Sequence, residues 1–169
     1  MGAGKFNGRD FHTREFHTVR GYQLLEQNDR QLTSAMEDYL EMICRNSGED
    51  GYMRLNKLAG LLNVKASSAS KMVRKLGELG LLKYEKYGII VLTDAGREAG
   101  GFLLERHRII EDFLKLLGCG EDVLIQTELI EHSINPGTVE NLKMLNDFFA
   151  GNKEIADRFA EYKENVCGG

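Results

Sequence analysis

The stretch LNKLAGLLNVKASSASKMVRKLGELGLLKYEKYGIIVL, residues 55–92, decides the fold. Leu55, Leu58, Ala59 and Leu62 recur with the spacing of one apolar helical face, and Ala69, Met72, Val73 and Leu76 do so again. Between the two sets Asn63-Val64-Lys65 breaks the period, so the pattern is helix, tight turn, helix. After Gly80 the periodicity turns extended, with two β-rich runs, Leu81 to Lys86 and Ile89 to Leu92, around a turn at Tyr87-Gly88. A hairpin directly after the second helix makes a winged helix-turn-helix, whose second helix lies in the major groove of double-stranded DNA.

The residues opposite the second helix's apolar stripe suit that use. Ser67, Lys71 and Arg74 lie there, Ser68 and Ser70 flank them, and Lys65 stands at the turn before the helix. Short hydroxyl side chains let the backbone approach phosphates and bases closely, while Lys and Arg supply charge and base-edge donors. Lys86, with Lys83, falls on or near the wing. The net charge of -4 conceals a segregation that supports this face. Residues 54–97 carry 9 basic and 3 acidic side chains, against 6 and 9 before them and 7 and 14 after them. The local field, not the whole-chain pI, attracts phosphate.

Upstream, Ser34 and Glu37 have capping-box spacing, and Met36, Tyr39, Leu40 and Ile43 make one helical face apolar. Asp38 and Glu41 rotate away from it. Downstream, Thr93-Asp94 opens a long helix to Gly118, with Phe102, Ile109, Ile110, Phe113 and Leu117 in phase and His107 on the flank. A helix over 121–134 is expected to carry Glu128, Glu131 and His132 and to end at Pro136-Gly137. Residues 138–149 resume with Leu142, Leu145, Phe148 and Phe149, and a charged helix covers about 153–165. So much apolar helix exceeds what a reader head needs, which points to self-association. The expected organisation is a flexible arm over 1–31 with a short helix around Tyr22 to Gln27, a winged helix-turn-helix over 32–97, and a helical metal-binding and dimerisation domain over 98–169. The fold class is mainly α, or α+β by virtue of the wing.

Asp38 and Glu41, then His107, then Glu128, Glu131 and His132 form three clusters of hard donors. Taken singly, the first pair reads as solvated acidic surface and the histidine as structural. Together they read as a carboxylate-rich site suited to manganese or ferrous iron. Cys44, Cys119 and Cys167 are odd in number and lack CxxC spacing, so neither a disulfide framework nor a zinc ribbon is supported. No apolar run approaches the roughly 18 residues of a membrane span, and the polar N-terminus lacks a secretory core, so the expected location is the cytoplasm.

These residues carry a resemblance. Met-Glu-Asp-Tyr-Leu-Glu at 36–41, Ser-Ser-Ala-Ser-Lys-Met-Val at 67–73, Tyr-Glu-Lys-Tyr at 84–87, Glu-Arg-His at 105–107 and Glu-Leu-Ile-Glu-His at 128–132 stand in the order of the diphtheria toxin repressor family. Over about Thr33 to Phe149 the chain resembles that family's manganese transport regulator branch. The resemblance implies that Asp38, Glu41, His107, Glu128, Glu131 and His132 bind Mn(2+), two ions per subunit, with Fe(2+), Co(2+) and Cd(2+) as other occupants. In the iron-responsive branch the position of Asp38 is usually Met and that of Glu128 is Cys or Met, whereas here both are carboxylates. Glu111 resembles an ancillary ligand of the iron branch and ranks below the six. At the wing, Gly88-Ile89 replaces a more basic pattern.

The reading is a homodimeric, manganese-responsive repressor of metal-uptake genes that binds operator DNA, has no small-molecule substrate and is not an enzyme. Its rivals are an iron-responsive regulator of the same family, a winged-helix regulator with a non-metal effector, and a small metallohydrolase. The last would need a nucleophile or a substrate-cradling loop beside the ligands, and its basic helix would be unexplained.

Overall fold

The computed structural model describes residues 32–48 and 51–167, so the arm expected over 1–31 and its short helix lie outside the described residues. Helix α1 spans Ser34–Asn46. Strand β1 is Tyr52–Arg54, and α2, Leu55–Leu61, follows it without a break. Helix α3 is Ala66–Glu78, strand β2 Leu82–Tyr84 and strand β3 Ile89–Leu92. Helix α4 runs from Asp94 to Leu117, α5 is Val123–Ile130, α6 is Pro136–Gly151 and α7 is Lys153–Cys167. Among the described residues no helix is long and apolar enough to cross a membrane. The chain divides into two compact units between Leu104 and Glu105, inside α4.

The first unit is the expected winged helix-turn-helix. Asn63, at φ 52, reverses the chain between α2 and α3, a left-handed conformation that Asn tolerates better than most residues. The Val64 amide donates to the Ala59 carbonyl at 3.0 Å and closes that turn. Met36, Leu40 and Ile43 of α1, Leu58 and Ala59 of α2, and Ala69, Val73 and Leu76 of α3 share one core with Ala99, Phe102 and Leu103 of α4. The apolar periodicities read from the sequence are therefore the buried faces.

The sheet differs from the expected two-stranded hairpin. It has three antiparallel strands in the order β1-β3-β2, with Met53 opposite Ile90 and Arg54 opposite Ile89. Strand β1 is too short for alternation to show in sequence, and it forms because β3 offers an edge that would otherwise be unpaired. The wing turn places Tyr87 at φ 63 and Gly88 at φ 73, and the Glu85 amide donates to the Ile89 carbonyl at 2.8 Å.

Two helix boundaries are also corrected. Thr33, not a Ser34 capping box, precedes α1, and its carbonyl accepts from the Met36 and Glu37 amides with no side-chain cap. Pro136 begins α6 instead of ending the helix before it, because its missing N–H and preset φ suit the first helical position. The Asn135 side chain caps that start by accepting from the Thr138 amide at 2.9 Å.

The second unit has a much smaller core, Ile110, Leu114 and Val123, with Cys119, Ile130, Ile134 and Leu142 packed against it. Leu124, Ile125, Leu129, Met144, Phe148 and Tyr162 remain exposed. Asn146 of α6 donates to the Ile109 carbonyl at 2.9 Å, and Lys163 of α7 donates to the Leu117 carbonyl at the end of α4.

The start of α4 is clamped to the end of the reader head. The Thr93 hydroxyl donates to the Gly80 and Leu81 carbonyls at 2.8 and 3.0 Å and accepts from the Gly96 amide at 3.0 Å. The Leu81 carbonyl then sits where a side chain on Gly96 would be, 1.8 Å from an ideal Cβ. Gly96→Ala should lower stability by about 2 kcal/mol or more through overpacking against backbone. Gly101→Ala, whose Cβ meets nothing within 4 Å, should leave stability unchanged or raise it by up to about 1 kcal/mol. Urea denaturation of the two variants measures the contrast.

Candidate metal centre and nucleic-acid interface

In the second unit the chain brings together three of its expected donors. The Glu131 carboxylate is 1% exposed, a burial that is tolerated only with close polar partners. One oxygen accepts from Nδ1 of His107 at 2.9 Å, and the other lies 3.7 Å from Nε2 of His132. A carboxylate accepts, so Nδ1 of His107 is the donor in this pair. This is how a metal-binding imidazole is ordinarily oriented by a carboxylate.

His132 is held from the other side. The Arg106 guanidinium donates to its Nδ1 at 3.2 Å, and because Arg can only donate, that nitrogen is the acceptor. Arg106 is itself buried. It stands in the Glu-Arg-His stretch at 105–107, where its residue type alone marks no role. The signal was there in principle, since it lies in the helical turn that carries His107.

The expected helix over 121–134 is not one helix. Helix α5 ends at Ile130, and Glu131–Ser133 tightens into a 3-10 turn ahead of Pro136. The turn places Glu131 inside and leaves His132 partly exposed, while Glu128, on α5, is exposed. The three therefore do not share a face as residues three and four apart in an α-helix would. Glu111 is paired with Lys115 at 2.6 Å, an i,i+4 ion pair on α4.

In the first unit Asp38 is partly buried and Glu41 is buried, so this pair is not the solvated surface that rotation away from the apolar face alone would give. Glu41 accepts from Arg45 at 2.5 Å. Beside it, burial pushes the Cys44 thiol above its ordinary pKa, and the Glu41 charge pushes the same way against an opposing effect of Arg97. The neutral thiol is favoured there, which leaves oxygen and nitrogen as the donors on offer. Carboxylates with a minority of imidazoles fit a hard or borderline divalent cation such as manganese or ferrous iron.

The reader face is open. Lys65, Ser67, Ser68, Lys71 and Arg74 are exposed, Ser70 is partly buried, and Ala69, Val73 and Leu76 hold the opposite side of α3 in the core. Lys83 and Lys86 are exposed on the wing. Strand β1 adds a residue that sequence reasoning missed, Arg54, exposed opposite Ile89 at the wing.

Comparison with known proteins agrees with both halves. Residues 31–90 match the family described as iron dependent repressor, N-terminal DNA binding domain, and residues 93–159 match iron dependent repressor, metal binding and dimerisation domain. The HTH-type transcriptional regulator MntR of Shouchella clausii is 37% identical over 133 residues, 78% of this chain and 93% of that protein. MntR of Bacillus subtilis is 38% identical over 118 residues, 69% of this chain and 83% of that protein. Among solved structures, the manganese regulator SloR is 33% identical with a TM-score of 0.57, over 66% of this chain and 53% of that one. ScaR with bound Zn2+ is 29% identical with a TM-score of 0.56, over 67% and 54%. The chain spans about half the length of those two solved chains.

The buried pair generates a prediction independent of any metal. His107→Ala removes the donor to a buried carboxylate and should destabilise the metal-free protein by about 1–3 kcal/mol. The loss should be partly recovered in the double variant with Glu131→Leu, because no carboxylate is then stranded. A double-mutant cycle by urea denaturation with a chelator present reads the coupling, and additive losses would mean that the two side chains do not interact.

Proposed function

Because the chain belongs to the iron-dependent (diphtheria toxin) repressor family, on its manganese-regulator branch, we propose that it is a manganese-responsive repressor of metal-uptake genes that binds operator DNA as a homodimer. The family is one of transcriptional repressors, not enzymes. The observation that carries the reading is the buried Glu131 carboxylate with the His107 and His132 imidazoles on its two oxygens, in the unit that matches a metal-binding and dimerisation domain. Operator binding puts such a protein in the cytoplasm.

In this reading Asp38 and Glu41 of the first unit complete a donor set with His107, Glu128, Glu131 and His132 of the second, for two Mn(2+) per subunit, with Fe(2+), Co(2+) and Cd(2+) as competitors. When bound, the cation supplies the positive charge that lets carboxylates drawn from both units share one locus. Asp38 and Glu41 stand on α1, which shares its core with α3, so whatever orients α1 orients the recognition helix. Lys71 and Arg74 face DNA from α3, with Lys65, Ser67, Ser68 and Ser70 beside them and Lys86 on the wing. In the dimer two such helices must meet successive major grooves about 34 Å apart. Head spacings that miss the grooves lose one half-site, so holding the heads at the right spacing raises affinity by selection among conformations. The exposed apolar side chains of α5 and α6 are the surface for the second copy.

Fluorescence anisotropy with DNA from upstream of a manganese transporter tests this. Manganese should tighten binding by at least about tenfold, and Glu131→Gln should abolish the response. Unchanged affinity on adding manganese would leave a winged-helix regulator with another effector.

The same assay tests the reader face. Arg74→Ala should weaken binding and, if its contact is to phosphate, lower the salt slope by about one unit with sequence preference intact. Loss of preference would instead put Arg74 on a base edge. Unaltered DNA affinity in both Lys71→Ala and Arg74→Ala would mean that α3 is not the reader.

A further inference from the structure

Arg45 lies one helical turn beyond Glu41 on α1, and its guanidinium is 2.5 Å from the buried Glu41 carboxylate. Its own side chain is 47% exposed, so this is a charge delivered from the surface onto a buried group. The pairing is local to α1 and follows from the i,i+4 spacing. A guanidinium is charged at every relevant pH, so it cannot step aside by losing a proton as a lysine or histidine could.

We propose that Arg45 is a built-in cationic competitor at Glu41, which weakens divalent metal binding there and so raises the metal concentration at which the chain responds. The inference rests on the reading of Glu41 as a ligand. Oε1 of Glu41 is engaged by Arg45, and a cation recruiting that oxygen must displace the guanidinium or accept a positive neighbour a few ångströms away. Either course makes binding less favourable. The partial exposure of Arg45 matters to the function, because a guanidinium at the surface can swing into water and be solvated there. The competition is thus reversible, and it does not require the core of the head to move.

The experiment is isothermal titration of manganese(II) chloride into the metal-free full chain at low salt. The variants are Arg45→Met, Arg45→Lys and Glu41→Gln. Removing the positive charge in Arg45→Met should tighten manganese binding by about tenfold or more. The advantage should shrink as salt rises, because Arg45 is partly exposed to screening ions. Arg45→Lys, which keeps the charge, should stay close to wild type. If Arg45→Met binds manganese no more tightly than wild type while Glu41→Gln still loses it, the competitor role is overturned and the ligand reading stands. If Glu41→Gln binds manganese like wild type, the ligand reading fails and this inference fails with it. Circular dichroism of the metal-free proteins checks that α1 is intact, and Arg45→Gln replaces Arg45→Met should that variant not fold.

Discussion

The packing of α1 against α3 is the constraint on which the first unit depends. Leu40 and Ile43 from one helix and Ala69, Val73 and Leu76 from the other are all fully buried in the same core. Close-packed interiors deform little, so a shift of α1 is transmitted to α3 instead of being absorbed. That turns a helix bearing two carboxylates into a handle on the helix bearing Lys71 and Arg74. The clamp at Thr93, with the Leu81 carbonyl against Gly96, fastens the beginning of α4 into the same body.

The second unit is built to the opposite principle. Its core is small, its apolar side chains are largely at the surface, and its best-buried groups include ionisable ones, Glu131 and His107, together with Arg106. Burying ionisable groups is costly unless each has a polar partner, and hydrogen bonds between Glu131 and His107 and between Arg106 and His132 supply one to each. Such networks contribute less to stability than an apolar core of the same size would. What they provide is donors already oriented. The exposed Leu124, Ile125, Leu129 and Phe148 add the other element of incompleteness, an apolar surface that association would cover.

Much of this was legible in the chain because the relevant signals are local. The periodicities of α1, α2 and α3 identify their buried faces, and Thr93 and Gly118 mark the ends of α4, though Leu117 of the apolar set read for α4 is exposed. The six expected donors were legible only as residue types, oxygen and nitrogen without thiolate. The misread features each involve a partner distant in sequence or a choice between near-equal local conformations. Strand β1 exists because β3 lies beside it. The turn at Glu131–Ser133 was hidden because donors spaced three and four apart fit a continued α-helix equally well. Pro136 could be taken for a stop as readily as a start, and the Asn135 cap shows which it is.

The sequence by itself determined the classes of element and the chemistry on offer: a winged reader carrying a local excess of positive charge, helices with too much apolar surface for a monomer, and hard donors suited to a divalent cation. Periodicity and charge are properties of neighbouring residues, so no folding is needed to read them. Only the tertiary structure decided which donors are buried and what each one touches. Glu131 is inside and Glu128 outside, though they lie three residues apart, because the helix tightens between them. Glu41 is buried and already held by Arg45, and His132 by Arg106, because side-chain pairing inside a protein is set by what water no longer reaches.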